Sequence, residues 1–334
     1  MAKKIKDTDY LAISARVKAM ETTLLTWERM MQILDARNEA EALKMVQESG
    51  YPGLTATDPE ALDRVLSAAR EEMLSDLTGG APDPRYIELF KIKYDYHNVK
   101  AILKAAAMGI SPERMLMDMG RVSAAELREA VAAGELDGLP AMLAAAVQEA
   151  KAVLETTRDP QLSDIVLDRW YYLDLAAVAE ETGSAFLDGY VKVQIDAANL
   201  RVLVRTLRMG KNAAFLQDVL FEGGDVTADQ LLKVAAAGGS GLTEAYAAGL
   251  LEDAAAAGAA ALQGGALTEF EKLCDDAVNE YLSGAQFVPF GEAPLVGYLA
   301  GRETEFTNLR ILLIGRSMGL APEIIRDRLR RSCV

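Results

Sequence analysis

Hydrophobic positions recur with the spacing of an α-helix in three similar segments of the chain. From Val99, apolar residues stand at i, i+3, i+4 and i+7, and the same spacing starts again at Leu200. A third segment starts at Leu309 with apolar residues at i, i+3 and i+4, although Arg316 takes the next expected apolar place. This periodicity predicts three amphipathic helices that bury a similar face.

The three segments also share the residues around the apolar face. Each opens with Asn, an aliphatic residue and a base, at 98–100, 199–201 and 308–310, and the asparagines lie 101 and then 109 residues apart. Met and Gly follow each Asn at positions 10 and 11, and a glycine commonly ends a helix in the left-handed conformation. A carboxylate precedes each Asn by three residues. The motif residues are Asp95, Asn98, Lys100, Asp196, Asn199, Arg201, Glu305, Asn308 and Arg310.

Repetition at this period indicates one structural unit that is used three times. We expect helical units at 1–120, 121–222 and 223–334, each near the commonest domain size. The sequence therefore predicts three similar helical domains.

Helix signals dominate the rest of the chain. Asn38, Ser123 and Thr227 each precede a Glu or Gln by three residues, which is the pattern of a capping box. Asp58 followed by Pro59 is a further helix start. Additional helices are predicted at 11–49, 59–77, 141–157, 165–206 and 268–283. No segment shows sustained alternation of apolar and polar residues, so we predict an all-α fold.

The amino-acid composition favours helices, and the net charge excludes some classes of partner. Of 334 residues, 51% are hydrophobic but only 6% are aromatic, a balance that suits helices better than sheets. The net charge of −15 would repel phosphates and anionic lipid headgroups, so we expect no nucleic acid partner. Cys274 and Cys333 give no disulfide framework, which fits a reducing compartment. Without a visible signal peptide or membrane span, a soluble, cytoplasmic protein is expected.

Residues with catalytic chemistry are few. The only histidine, His97, has Ala198 and Thr307 at the equivalent places of the other copies, so the repeated unit does not require it. One histidine and two distant cysteines cannot assemble a zinc site, and no glycine-rich phosphate loop is present. We therefore expect no catalytic residue, cofactor, metal or small-molecule substrate.

One acidic cluster allows a different interpretation. Asp275, Asp276 and Glu280, on a predicted helix, resemble the aspartate-rich magnesium motif of all-α prenyl-transferring enzymes. Those enzymes need a second acidic motif that faces the first, and the chain has none at matching helical spacing. A solvated helix face on an acidic protein explains the cluster more simply. A metal-dependent transferase is accordingly the weaker alternative.

Two interpretations of the motif residues stay open. A buried Asn with a carboxylate one turn earlier can fix a helix crossing by hydrogen bonds. Alternatively, the three bases could surround a central opening and receive an acidic shaft. The C-terminal arginines could bind a partner or oppose the dipole of a last helical turn. The candidate docking residues are Lys104, Arg205, Arg326, Arg328, Arg330 and Arg331.

Four segments, taken in order, resemble one family. They lie at 10–25, 93–100, 167–172 and 298–310, and the string Tyr-Asp-Tyr-His-Asn-Val-Lys within 94–100 is the most specific. Together they resemble the C subunit of the bacterial and archaeal V/A-type rotary ATPases, which is related to the d subunit of eukaryotic vacuolar ATPases. The resemblance covers essentially the whole chain.

This resemblance implies a fold and a function. The family folds as a funnel of three similar helical domains around a pseudo-threefold axis and has no catalytic residues. It joins the central stalk, made of the D and F subunits, to the membrane ring of proteolipid subunits, and it transmits torque coupled to proton or sodium transport. We therefore expect a non-catalytic rotor socket, peripheral to the membrane, with one copy per complex and a monomer when isolated. A free-standing helical scaffold is the alternative.

Overall fold

The computed structural model describes residues 5–211, 213–247 and 249–331. The helices, in chain order, are α1 (Leu11–Glu21), α2 (Trp27–Leu34), α3 (Glu39–Glu48), α4 (Pro59–Gly80), α5 (Arg85–Met108), α6 (Ala124–Ala133), α7 (Ala141–Thr157), α8 (Pro160–Thr182), α9 (Ala185–Arg208), α10 (Ala213–Gln217), α11 (Ala228–Ala236), α12 (Leu242–Ala245), α13 (Glu252–Leu262), α14 (Leu267–Ser283), α15 (Glu292–Ser317) and α16 (Pro322–Arg328). Short 3-10 turns lie at Asp7–Tyr10, Glu113–Met115 and Gly284–Phe287. No β-strand occurs within the described ranges, and the predicted all-α fold is confirmed.

The predicted helix starts are built by side-chain caps. A side-chain oxygen accepts the backbone N–H three residues later at Asn38, Asp58, Ser123 and Thr227. At Thr227 the bond is reciprocal, because its own N–H donates to Gln230 Oε1 at 2.9 Å. These caps satisfy N–H groups that the first helical turn leaves without a partner.

Two predicted helices are divided in the structure. The segment 11–49 forms three helices, because Thr26 Oγ1 accepts the N–H of Arg29 at 3.1 Å and starts α2, while Asn38 starts α3. The segment 165–206 breaks at Gly183, with φ 67°, and at Ser184, which caps α9. Hydroxyl and amide side chains offer the backbone a local partner that ends one helix and starts another.

Three long helices, α5, α9 and α15, carry the repeated motif, and we call them the motif helices. Each is followed by its predicted glycine in the left-handed region, with φ of 66°, 68° and 69° at Gly109, Gly210 and Gly319. The N–H after each glycine donates to the carbonyl five residues earlier, at 3.0–3.1 Å. The predicted helix ends are therefore confirmed. Glycine occupies these positions because a side chain would strain the left-handed conformation.

Six long helices contact one another in a closed order. We call α4, α8 and α14, which precede the motif helices in the chain, the supporting helices. Helix α4 contacts α5, α5 contacts α8, α8 contacts α9, α9 contacts α14, α14 contacts α15, and α15 returns to α4. Each motif helix thus packs against the supporting helix of the next copy, and the third packs against the first. The buried apolar side chains form one continuous cluster.

Candidate functional site

In the first copy, the motif binds the segment that follows α5. Asn98 Nδ2 donates to the carbonyl of Met117 at 2.8 Å, and Asn98 Oδ1 accepts the N–H of the same residue at 2.9 Å. Asp95 accepts the N–H of Arg121 at 2.9 Å and that of Val122 at 3.3 Å. Both motif side chains therefore hold the backbone just before α6.

The second copy repeats this arrangement after α9. Asn199 binds the carbonyl and the N–H of Phe221, both at 2.8 Å. Asp196 accepts the N–H of Asp225 at 3.0 Å and that of Val226 at 3.1 Å. These bonds hold the backbone just before α11, so the same chemistry serves both copies.

In the third copy, the carboxylate takes its partners from the start of the chain, whereas the asparagine binds the segment after its own helix. Asn308 binds the carbonyl of Arg330 at 3.0 Å and its N–H at 2.8 Å. Glu305 instead accepts the N–H of Leu25 at 2.5 Å and the hydroxyl of Tyr51. Glu305 also accepts a hydrogen bond from Arg302 at 2.6 Å.

Leu25 has the same place in its segment as the corresponding residues of the other copies. It stands directly before the N-cap Thr26, as Val122 and Val226 stand before the N-caps of α6 and α11. The motif carboxylate therefore binds the N–H that precedes a capped helix in all three copies. In the third copy that helix is α2, which lies 280 residues earlier in the chain.

Close backbone approach at these carboxylates requires glycine. A Cβ atom on Gly120 would lie 2.1 Å from Asp95 Oδ1, and one on Gly224 would lie 2.1 Å from Asp196 Oδ1. Both glycines stand one residue before the N–H that the carboxylate accepts. The contact with the carboxylate therefore explains why glycine stands at 120 and 224, two positions that the motif spacing did not identify.

The motif bases pair with acids on the supporting helices. Lys100 Nζ lies 2.5 Å from Asp168 on α8, and Arg201 Nε lies 3.0 Å from Glu271 on α14. The remaining contacts are Arg201 with Asp275 and Arg310 with Asp63 on α4. Partly exposed pairs of this kind each contribute about 0–1 kcal/mol, so they orient helices more than they stabilise them.

A polar cleft of about 300 Å³ opens between the three motif helices and α14. Lys93, Gln194 and Glu303 line it, and each stands five residues before the Asn of its copy. Lys93 Nζ lies 3.6 Å from Glu303 Oε2, and Arg70 Nε lies 2.8 Å from Glu303 Oε1. Burial alone would raise the pKa of Glu303, but these two cations hold it below its ordinary value. These three residues were not predicted from the sequence, although each stands at the same distance from the motif asparagine and could have been found in that way.

A family model described as "ATP synthase (C/AC39) subunit" matches residues 13–328. The chain belongs to this family. It is 24% identical over 330 residues to the C subunit of the V-type sodium ATPase of Enterococcus hirae, covering 97% of this chain and 98% of the relative. It is 24% identical to the C subunit of the A-type ATP synthase of Methanocaldococcus jannaschii, covering 96% and 86%, and 25% identical to the C subunit of the V-type ATP synthase of Thermus thermophilus, covering 93% and 95%.

Membership in the C/AC39 family gives the chain a role as a subunit of a rotary ATPase, and as a structural subunit rather than a catalytic one. None of the helices in the described ranges has the length and apolarity needed to cross a bilayer. The resemblance drawn from the sequence motifs is thereby confirmed.

The candidate docking residues of this C/AC39 protein fall into two groups. Lys104 and Arg205 pair with acids of the supporting helices, Asp164 at 2.5 Å and Glu271 at 2.7 Å. The C-terminal group comprises Arg326 and Arg328, which are exposed on α16, and Arg330 and Arg331, which follow it. Arg330 Nε donates to Asp275 Oδ2 at 2.8 Å, and the N–H of Arg331 donates to Asp276 Oδ1 at 2.9 Å.

Asp275 and Asp276 of the acidic cluster on α14 bind the last two arginines, Asp275 through an ion pair with Arg330 and Asp276 through the backbone N–H of Arg331. Asp275 contacts both Arg201 and Arg330, which makes it part of an ion-pair network. No group of three metal-binding side chains occurs in the part of the chain that the structure describes. The family, whose subunit is structural rather than catalytic, contradicts the transferase alternative.

The remaining candidate side chains have structural contacts. The His97 ring binds the carbonyl of Met115 at 2.9 Å through Nε2. Cys274 is buried, and burial raises the pKa of its thiol to about 12, which leaves it protonated and unreactive. Cys333 lies outside the described residues.

Proposed function

We propose that this chain is the socket of a central rotor, joining a stalk made of the D and F subunits to a membrane ring of proteolipid subunits. It transmits torque between them, with one copy per complex and a position at the membrane surface. The observation that carries the proposal is the cleft between the motif helices, lined at three equivalent positions by Lys93, Gln194 and Glu303. A cleft of this volume admits a few side chains at the tip of a shaft, because a helix with its side chains is about 10–12 Å across.

The closed order of six helices supports a role in torque transmission. A shear at one helix contact must also deform the other contacts of the cycle, because no end of the order is free. Dense packing adds stiffness, since a close-packed interior deforms little. A stalk that turned inside this cycle would carry the whole subunit with it.

We also propose that the chain forms three helical units around a pseudo-threefold axis, as a funnel. The hydrogen bonds of the motif carboxylates favour units that start near Thr26, Ser123 and Thr227, because each carboxylate binds just before these caps. The two later starts lie close to the boundaries expected at 121 and 223. On this division α1 is an addition that packs against α15.

The contacts of the three units with the stalk are unequal in this proposal. The equivalent cleft positions carry a cation at Lys93, a neutral amide at Gln194 and an anion at Glu303. A threefold scaffold with unlike charges can select one of three orientations of an asymmetric shaft, because the two wrong orientations bring like charges together.

Reconstitution tests the socket. Purified D–F should attach to membranes that contain the proteolipid ring only when this chain is added, as measured by co-sedimentation. Equal attachment without the chain would refute the proposal.

Single charge changes test the unequal contacts. Lys93→Glu, Gln194→Lys and Glu303→Lys should weaken D–F binding to different extents, with circular dichroism as the check on folding. Gln148→Lys on the outer face of α7 is the matched exposed control. Equal losses from all three cleft variants would show that the copies contact the stalk alike.

A further inference from the structure

The second motif copy lacks the arginine that the other copies place beside their carboxylate. Arg121 Nε donates to Asp95 at 2.7 Å, and Arg302 donates to Glu305 at 2.6 Å. No lysine or arginine of the described residues lies within ion-pair distance of Asp196. Asp196 is only 5% exposed, so it has lost its hydration without gaining a counter-charge.

The backbone identifies the place of the missing arginine. The N–H of Arg121 donates to Asp95, and the N–H of Asp225 donates to Asp196 in the same way. Asp225 therefore stands where the first copy has Arg121. The guanidinium of Arg121 also donates to Asp174 at 3.0 and 2.6 Å and so connects α5 to its neighbour α8.

A cleft of about 520 Å³ lies at this place in the second copy. Asp196 and Asp225 line it together with Tyr246 and Tyr281. Tyr281 takes the place of Asp174, because Asp174 stands six residues after Asp168, which pairs with Lys100, and Tyr281 stands six residues after Asp275, which pairs with Arg201. Carboxylates beside aromatic rings suit a guanidinium, which is planar, forms bidentate bonds with carboxylates and stacks on rings.

The neighbouring charges leave the cleft negative. Lys192, one turn before Asp196 on α9, binds Asp188 at 2.9 Å and also interacts electrostatically with Asp225 and Tyr281, so the cleft has one cation against three carboxylates. The pKa of Asp196 is raised to about 6, because burial and the Asp225 carboxylate raise it more than the N–H groups of Val226 and Asp225 lower it. A cation bound in the cleft would lower the pKa of Asp196, because it stabilises the charged carboxylate.

We propose that the cleft receives an arginine side chain from another subunit of the complex, whose guanidinium binds Asp196 and Asp225 as Arg121 binds Asp95 in the first copy. The identity of the partner rests on the proposed function, whereas the guanidinium site rests on the chain alone. The second copy thus takes from a partner the cation that the other two supply themselves.

A small-molecule probe tests the site without any partner. In carbon-13 NMR of the whole chain, millimolar methylguanidinium chloride should lower the pKa of Asp196 by about half a unit or more, relative to sodium chloride at equal ionic strength. The variant Asp225→Arg, which supplies the arginine within the chain, should not respond. An equal effect of both salts on the wild type, or an undiminished response of the variant, would overturn the site.

Assembly tests the partner. Binding of Asp225→Arg to purified D–F and to the proteolipid ring should fall by about tenfold or more for one of them, as expected when a buried charge pair is blocked. Asp218→Arg, the same change at an exposed aspartate of the same segment, should bind as the wild type does. Undiminished binding of Asp225→Arg to both would overturn the partner arginine. Failure of the wild type to bind either would instead refute the proposed function and leave the guanidinium site standing.

Discussion

The motif asparagine explains its own repetition. Asn98, Asn199 and Asn308 are fully buried, and each binds both the N–H and the carbonyl of a single backbone residue. Only an amide side chain offers a donor and an acceptor in the geometry of a peptide group. Of the two interpretations that the sequence left open, this geometry supports a structural role for the asparagine, which holds the segment after its own helix rather than a crossing of two helices. The sequence predicted which residues repeat, but not the backbone that they bind.

Loss of one motif asparagine should destabilise the fold. Asn199→Ala leaves the N–H and the carbonyl of Phe221 buried without partners, which should lower the free energy of unfolding by about 2–4 kcal/mol. Urea denaturation measures this change. Gln148→Ala, an exposed amide on α7, should stay within about 0.5 kcal/mol of the wild type. A similarly small effect of Asn199→Ala would contradict the structural role.

Asp196 should give the stability a specific dependence on pH. Its pKa is raised from 3.8 to about 6 in the folded state, so the folded protein holds this proton more tightly than the unfolded chain. The resulting stabilisation is fully present below about pH 4 and is lost as the pH rises through about 6. From about pH 3 to about pH 7 the wild type should lose about 2–3 kcal/mol relative to Asp196→Asn, measured by urea denaturation across the range. Parallel pH profiles of the two proteins would refute the raised pKa.

At the scale of helices, local signals decided where most elements begin and end. The caps at Asn38, Asp58, Ser123 and Thr227 and the Met-Gly ends were visible in the sequence, because a cap or a left-handed glycine acts within four residues. The breaks before α2 and before α9 were not predicted. Apolar residues continue on both sides of each break, and periodicity does not distinguish one long helix from two short ones.

The left-handed glycines should be more sensitive than other exposed glycines. Gly210→Ala forces a side chain into φ 68° at the end of α9 and should cost about 1–2 kcal/mol in the free energy of unfolding. Gly138→Ala, where φ is outside the left-handed region and a Cβ atom meets nothing within 4 Å, should be neutral or slightly stabilising. Thermal denaturation of the two variants provides the comparison, and equal losses would argue against a conformational cause.

At the scale of the whole molecule, the third copy closes the order of helices through contacts distant in sequence. Glu305 binds Leu25 and Tyr51, and Arg316 donates to the carbonyls of Leu34 and Ala36. The start of the chain therefore supplies the backbone N–H that the motif carboxylate binds, which the segments after α5 and α9 supply in the first two copies. Closure of so long a loop costs entropy, which several buried polar contacts offset together.

Removal of the Glu305 carboxylate should weaken the contact between the start of the chain and α15. Glu305→Ala leaves the cation of Arg302 without its acidic partner and should cost about 3–5 kcal/mol in the free energy of unfolding. Hydrogen exchange should accelerate in α2 and in α15 together, because the lost contact joins them. Glu323→Ala, an exposed acid on α16, is the control. Unchanged exchange in α2 would show that closure does not depend on Glu305.

The sequence by itself determined the helical class, the three copies of the motif and the family resemblance. These features depend on residues within a few positions of one another, or on a pattern that is preserved as written. The tertiary structure decided which residues meet: Lys93 with Glu303, Arg201 with Glu271, Leu25 with Glu305, and Asp196 with no cation among the described residues. Such contacts join residues 70 to 280 positions apart, so they depend on how all six long helices pack. The motif was therefore predictable from the sequence, whereas the roles of the residues that differ between its copies could be assigned only from their contacts in the folded chain.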